Sequence, residues 1–335
     1  MQTKAIVFPE LNRAALEAIE LPPLNPEDAY VQVELSGVSV GTEVWALTGQ
    51  RPPGDTTFPC VPGYQAVGVV LEAGPNADLK AGERIFFTKS RLSEPHSRGN
   101  WMGSHVRIAV VDASAEPRHG YWVRLPEGMT PQDAVLSALG AVTTRGLKHV
   151  GVHPGDFCVV TGLGVIGQTA AQAARIQGAT VLGVDIAANR LEAAAKYSAD
   201  AVFNPNEGDL AAEVRQRKPG GADLVVEASG NKKLIPQAID LIRPLGRVLL
   251  QGWYPGDVAF DFHRAHGRRP TIAVTCGMDR ESNAQVLQWI AEGKVQLAPL
   301  LTHVFKPEQA PEAYEMMRAN PADFLGVAFD WRETA

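Results

Sequence analysis

A chain of 335 residues, 45% hydrophobic and 20% charged, is long enough for two domains with cores of their own and has the balance of an ordinary globular protein. Its net charge of −6 gives no broad basic footprint for nucleic acid, and the densest basic run, residues 264–269 beside His263, reads as a solvated loop. Three scattered cysteines, Cys60, Cys158 and Cys276, exclude a disulfide framework, no apolar run approaches membrane-spanning length, and the first ten residues lack a signal-peptide pattern, so a cytoplasmic location is expected.

Up to about residue 125 the chain reads as short strands divided by turn signals, at residues 4–8, 30–36, 68–73, 84–88 and 105–111. From residue 130 helix and strand alternate. Helices are expected near 131–149, 168–177 and 188–197, with buried strands at 157–161, 180–185, 201–203, 224–228 and 247–251. Such alternation implies right-handed crossovers and a parallel sheet with helices on both faces. Residues 271–276 can supply the last strand of that sheet, a helix around 282–292 follows, and 325–331 reads as a strand returning to the first domain. The expected fold class is therefore α/β: a β-rich domain over 1–125, a doubly wound parallel sheet over 126–276 and a return over 277–335.

The run Gly162-Leu163-Gly164-Val165-Ile166-Gly167 joins the strand at 157–161 to the helix at 168–177, the context of a dinucleotide cradle. The first glycine permits the tight turn, the second admits a pyrophosphate against the backbone, and the third lets the helix lie close on the sheet. Phosphate then sits at a helix N-terminus, where unpaired N–H groups and the helix dipole favour anions. Asp185, 18 positions after Gly167, ends the next strand, where a carboxylate accepts from both adenosine ribose hydroxyls and repels a 2′-phosphate. This favours NAD(H) over NADP(H), although Arg190 on the following helix is a group that suits phosphate. Ser229-Gly230 and Gly252-Trp253 follow strands at their carboxyl ends and are expected to approach the adenosine and nicotinamide halves, unless they are only strand-ending turns. Trp45, Trp101, Trp253 and Tyr254 fall in expected loops and are candidate walls of a substrate cleft, whereas His149 and His153 suit surface or capping roles.

Further landmarks are Ser36-Gly37-Val38, Gly41-Thr42-Glu43, Pro62-Gly63-Tyr64, Gly68-Val69-Val70, Gly82-Glu83-Arg84, Gly155-Asp156 and Val226-Glu227-Ala228-Ser229-Gly230. With these the chain resembles, over essentially its whole length, the medium-chain dehydrogenase/reductase superfamily. The resemblance implies a GroES-like catalytic domain, a Rossmann NAD-binding domain, a small-molecule substrate, no nucleic-acid or membrane partner, and edge pairing of the 271–276 strand into a homodimer or homotetramer. Gly41-Thr42-Glu43, Val61-Pro62-Gly63-Tyr64, Leu301-Thr302-His303 and Phe329-Asp330-Trp331 look most like the bacteriochlorophyllide a dehydrogenase group, which oxidises a hydroxyethyl side chain to acetyl. Residues 88–104 depart from that group.

Zinc-dependent members place a cysteine two positions before the Ser/Thr-Asp/Glu pair and a histidine in a Gly-His-Glu segment. Here those positions hold Val40 and Tyr64, with Gln65 for the glutamate, and the third-ligand region at 138–142 offers no cysteine, acid or histidine. Val40 cannot bind a metal and a phenol is a poor zinc ligand, so no metal is expected, short of a site rearranged around Glu43, His96 or His105. Hydroxyl chemistry must then assist hydride transfer. The resemblance gives Thr42 the hydroxyl that bonds the substrate oxygen, unless that hydroxyl only caps the backbone in a turn. Tyr64 either acts as general acid/base, its phenol lowered by nearby positive charge, or fills the vacated metal cavity with its ring. Glu43 either orients Thr42 and the substrate or serves as a structural acceptor. The expected activity is zinc-independent, NAD-dependent exchange of hydride between a secondary alcohol and its ketone, the substrate being a polyol, a sugar or a hydroxyethyl compound. The alternatives are an NAD(P)H-dependent reductase of activated C=C bonds and a non-catalytic NAD(H)-binding protein.

Overall fold

Two compact units, Met1–Ala138 with Leu297–Ala335 and Leu139–Gln296, make up the computed structural model, which describes residues 1–52, 54–98 and 103–332. Both divides fall later in the chain than the expected ends at 125 and 276. The helix at 280–291 accordingly stays with the α/β unit instead of joining the return.

The first unit opens with the hairpin β1 (Gln2–Glu10) and β2 (Arg13–Glu20), turned at Asn12 with its φ of 60°. β3 (Asp28–Gly37), α1 (Val40–Leu47), β4 (Ala66–Ala73), β5 (Arg84–Phe87), β6 (Ile108–Asp112), β7 (Trp122–Arg124) and α2 (Pro131–Ala134) follow. A capping box between Thr130 and Asp133 starts α2. The expected single helix over 131–149 is broken after α2 and resumes as α3 (Ser137–Val150).

The α/β unit continues with β8 (Phe157–Thr161), α4 (Val165–Ile176), β9 (Thr180–Val184), α5 (Ala188–Tyr197), β10 (Ala201–Phe203) and α6 (Leu210–Arg217). Then come β11 (Ala222–Glu227), α7 (Ile235–Leu241), β12 (Ile242–Leu250), α8 (Phe262–Arg268), β13 (Thr271–Val274) and α9 (Arg280–Ala291). All its strands run parallel in the order β10-β9-β8-β11-β12-β13. This is the doubly wound Rossmann order, whose direction of winding reverses between β8 and β11 and leaves a crevice there. Period-two alternation feeds two cores. Cys158 and Val160 pack with the α4 alanines, while Phe157 and Val159 face Leu210, Ile239 and Leu241.

The chain closes with β14 (Leu301–Phe305), α10 (Ala310–Ala319) and β15 (Gly326–Asp330). β15 is the expected returning strand: it pairs parallel with β14 and antiparallel with the Gly37 end of β3. The first unit's larger sheet runs β14-β15-β3-β4-β5-β7, with β6 also on β3. Phe8, Tyr314 and Phe329 stack edge to face and tilted in its core, with ring centroids 5.0 and 6.0 Å apart.

Candidate active site

In the α/β unit the glycine loop leaves β8 with Gly162 at φ 85°, a value that L side chains rarely adopt. A Cβ there would lie 2.5 Å from the Ser229 backbone, and one on Gly167 would lie 1.8 Å from the Gly162 carbonyl. Gly164 is the N-cap of α4, carries no capping side chain and has open space where its Cβ would stand. Val165 and Ile166 form the first turn behind it. The loop thus offers an uncapped helix N-terminus in reach of a bulky anion, which fits a dinucleotide pyrophosphate.

Asp185, buried at the end of β9, takes the Leu163 N–H at 2.7 Å and the Ala187 N–H at 2.9 Å, tying the glycine loop to the start of α5. Arg190 Nη1 lies 3.8 Å from the same carboxylate. The two candidate ribose-end residues are therefore neighbours. Gly230 and Gly252 also meet, since a Cβ on Gly252 would stand 2.8 Å from the Gly230 nitrogen. Trp253 beside them is 47% exposed.

The joint between those turns is Glu227, a landmark whose part the sequence reading missed. Its backbone carbonyl accepts from the N–H groups of Gln251 and Gly252, and its side chain takes the Ser229 N–H at 3.0 Å with the hydroxyls of Ser229 and Tyr254. Burial pushes the Glu227 carboxyl above its usual value and, with Glu227 alongside, raises the Tyr254 phenol. Tyr254, considered as a cleft wall, is a tie of this loop.

In the β-rich unit three hydroxyls form a chain. Tyr64 donates to Ser39 Oγ at 2.5 Å, and Ser39 Oγ donates to Thr42 Oγ1 at 3.1 Å. Thr42 lies in the first turn of α1, as does Glu43, and Trp45 is on that helix instead of in a loop. Burial raises the half-buried Tyr64 phenol; the charge of Glu43 adds to the rise, and the hydrogen bonds to Ser39 and Thr42 with the charge of Arg51 work against it. The lowered phenol expected from the sequence is thus reversed, because desolvation outweighs the charge of Arg51.

Beneath the chain lies a buried polar cluster. Glu43, with no exposed surface, accepts from the Ser39 N–H at 2.8 Å, from the Tyr314 hydroxyl at 2.5 Å and from His105 Nε2 at 3.0 Å. Trp331 Nε1 donates to Ser36 Oγ at 2.8 Å, and Ser36 Oγ lies 2.7 Å from His105 Nδ1, so the two ring nitrogens of His105 are held between Ser36 and Glu43. Every member has a partner, and Glu43 fixes the helix start that presents Thr42.

A sequence profile described as zinc-binding dehydrogenase matches residues 165–292. The 2-desacetyl-2-hydroxyethyl bacteriochlorophyllide A dehydrogenase of Cereibacter sphaeroides is 30% identical over 341 residues and is aligned over the whole of both chains. The chain belongs to the medium-chain dehydrogenase/reductase superfamily. L-galactonate-5-dehydrogenase of Escherichia coli is 26% identical over 307 residues, 88% of this chain and 89% of that one. The solved alcohol dehydrogenase TADH of Thermus sp. ATN1 superposes with a TM-score of 0.81 at 27% identity, over 98% of this chain and 99% of that one. This medium-chain dehydrogenase/reductase is an oxidoreductase of the alcohol-dehydrogenase type.

Its residues do not fit the zinc ion that many of the superfamily hold. Val40 offers no donor, the Tyr64 hydroxyl is engaged with Ser39, and Glu43 and His105 are bound to each other. His96 faces Glu17, and among the described residues no three of histidine, cysteine, aspartate and glutamate gather around a common point. No described helix is long and apolar enough to cross a membrane. Trp101 lies outside the described residues.

Proposed function

We propose that this member of the superfamily is a zinc-independent, NAD-dependent dehydrogenase of secondary alcohols, exchanging hydride between a CH–OH carbon and the nicotinamide to give a ketone. The carrying observation is the Thr42–Ser39–Tyr64 hydroxyl chain, whose Tyr64 takes the place the resemblance gives to a metal-binding imidazole, with Val40 in that of the thiolate. Gly162, Gly164, Val165, Ile166 and Gly167 would hold the pyrophosphate, Asp185 the ribose hydroxyls beside Arg190, and the Ser229-Gly230 and Gly252-Trp253 turns the remainder of the dinucleotide. When bound, NAD supplies a two-electron hydride acceptor.

Thr42 is the proposed oxygen partner, donating to a carbonyl or accepting from an alcohol, and Glu43 is the positioning residue that holds its helix. Tyr64 backs Thr42 as acid or base. Substrate class follows from the relatives' names, one carrying a hydroxyethyl group and the other a sugar acid. The test is NADH formation at 340 nm over polyols, sugars, sugar acids and hydroxyethyl aromatics, using chelator-treated protein. Turnover that vanishes on chelation and returns with zinc refutes the metal-free reading.

A further inference from the structure

We propose that Ser39 is a proton-relay residue, carrying a proton between Thr42 at the substrate oxygen and Tyr64 behind it; this role rests on the alcohol-dehydrogenase reading above. Tyr64 gives its hydrogen to Ser39 Oγ and Ser39 gives its own to Thr42 Oγ1, so the three hydroxyls form one connected group, in which Thr42 also lies against Tyr64 and keeps a hydrogen to give to a substrate oxygen. A serine at a helix N-cap ordinarily turns its oxygen to a first-turn N–H. Ser39 does not: its side chain makes no cap bond, and Glu43 Oε1 instead secures the helix start through the Ser39 N–H at 2.8 Å. The hydroxyl is committed to its two hydroxyl neighbours.

In ketone reduction, a bound reduced nicotinamide would supply the hydride that the carbonyl carbon takes up, and the C=O π pair would move onto oxygen. Thr42 protonates that oxygen, Ser39 replaces the Thr42 proton, Tyr64 replaces that of Ser39, and the phenolate recovers its proton from solvent. Oxidation reverses each transfer, so the alcohol proton ends on the phenolate as hydride leaves carbon. The charged groups facing Tyr64 are Glu43 on α1, which opposes the phenolate, and Arg51 after that helix, which favours it. His105 and Tyr314 act on it through Glu43.

Ser39→Ala deletes the hydroxyl and keeps the N–H that Glu43 holds, so α1 remains capped. With the wild type oxidising an alcohol at a rate that climbs with pH as phenolate forms, Ser39→Ala is expected to lower kcat about 10- to 100-fold and flatten that climb, with NADH affinity unchanged and the fold retained by circular dichroism. Ser39→Thr should restore both rate and slope. A Ser39→Ala enzyme with wild-type kcat and pH profile overturns the relay, because Tyr64 would then serve Thr42 directly. A second measurement needs no turnover: ¹³C-tyrosine NMR, with Tyr64 assigned through Tyr64→Phe. The Tyr64 midpoint should rise in Ser39→Ala, since a hydrogen bond that steadies the phenolate is gone, and an unmoved midpoint also overturns the relay. Failure of the wild type to oxidise any alcohol would instead sink the activity on which the role rests.

Discussion

Thr42→Val exchanges one hydroxyl for a methyl of similar shape, so it tests the oxygen contact with little disturbance of packing. Transition-state donors of this kind are worth about 100- to 1,000-fold in rate, and a loss of that order in kcat/KM is expected with NADH affinity unchanged by fluorescence titration. A twofold effect would demote Thr42 to a turn residue. At the other end of the reaction, Asp185→Asn removes the charge proposed to exclude a 2′-phosphate. It also leaves an amide facing the N–H of Leu163 or Ala187, so the glycine loop loosens. That damage falls on both cofactors, and the ratio of kcat/KM for NAD to that for NADP isolates the charge: it should drop about tenfold or more. An unchanged ratio would move the ribose away from Asp185. Both residues stand out as candidates in the sequence because each belongs to a local motif. Ser39, His105 and Tyr314 were not, since their roles depend on partners 25, 62 and 271 positions away.

At the scale of elements, the alternating strands and helices of the α/β unit were legible wherever an apolar run was bounded by turn residues; α5, β9 and β10 fall at their expected places. Helix α1 was not. Val40, Gly41, Thr42 and Val44 are poor helix formers, and the element exists because the Glu43 side chain grips the Ser39 N–H from within a buried cluster. β11 and β12 were expected too short, and the device that joins their ends, Glu227, announces itself only as an acid ending an apolar strand. Burial sets its folded-state proton affinity above that of the unfolded chain. The folded form therefore holds the proton more tightly, and this contribution is complete at low pH and lost as pH climbs through the raised value. Glu227→Gln keeps the shape and cannot titrate. Its melting temperature relative to wild type should improve steadily with pH from about pH 4 upward in a calorimetric series; parallel curves would mean that Glu227 stays in one protonation state across the range.

At the scale of the whole molecule, the sheet of the α/β unit has two open edges, and they differ. β10 at one edge carries Val202 and Phe203 half-buried, whereas β13 at the other shows Val274 72% exposed, and the segment leading to it bears Val258, Phe260 and Phe262 with 38%, 41% and 74% exposure. Unpaired strand hydrogen bonds beside exposed apolar side chains favour pairing with a second strand, and a copy of β13 related by a two-fold axis supplies one that is complementary by construction. The homo-oligomer proposed from the family resemblance would thus use β13. Lysine on an edge strand opposes such pairing through charge and its long hydrated side chain. Light scattering behind gel filtration should find the wild type at a multiple of the 35.9 kDa chain and Val274→Lys shifted toward 35.9 kDa, with NADH still bound by the separated chain. A wild type that elutes as a single chain at about micromolar concentration removes the oligomer altogether, and an oligomer indifferent to Val274→Lys moves the contact to another face.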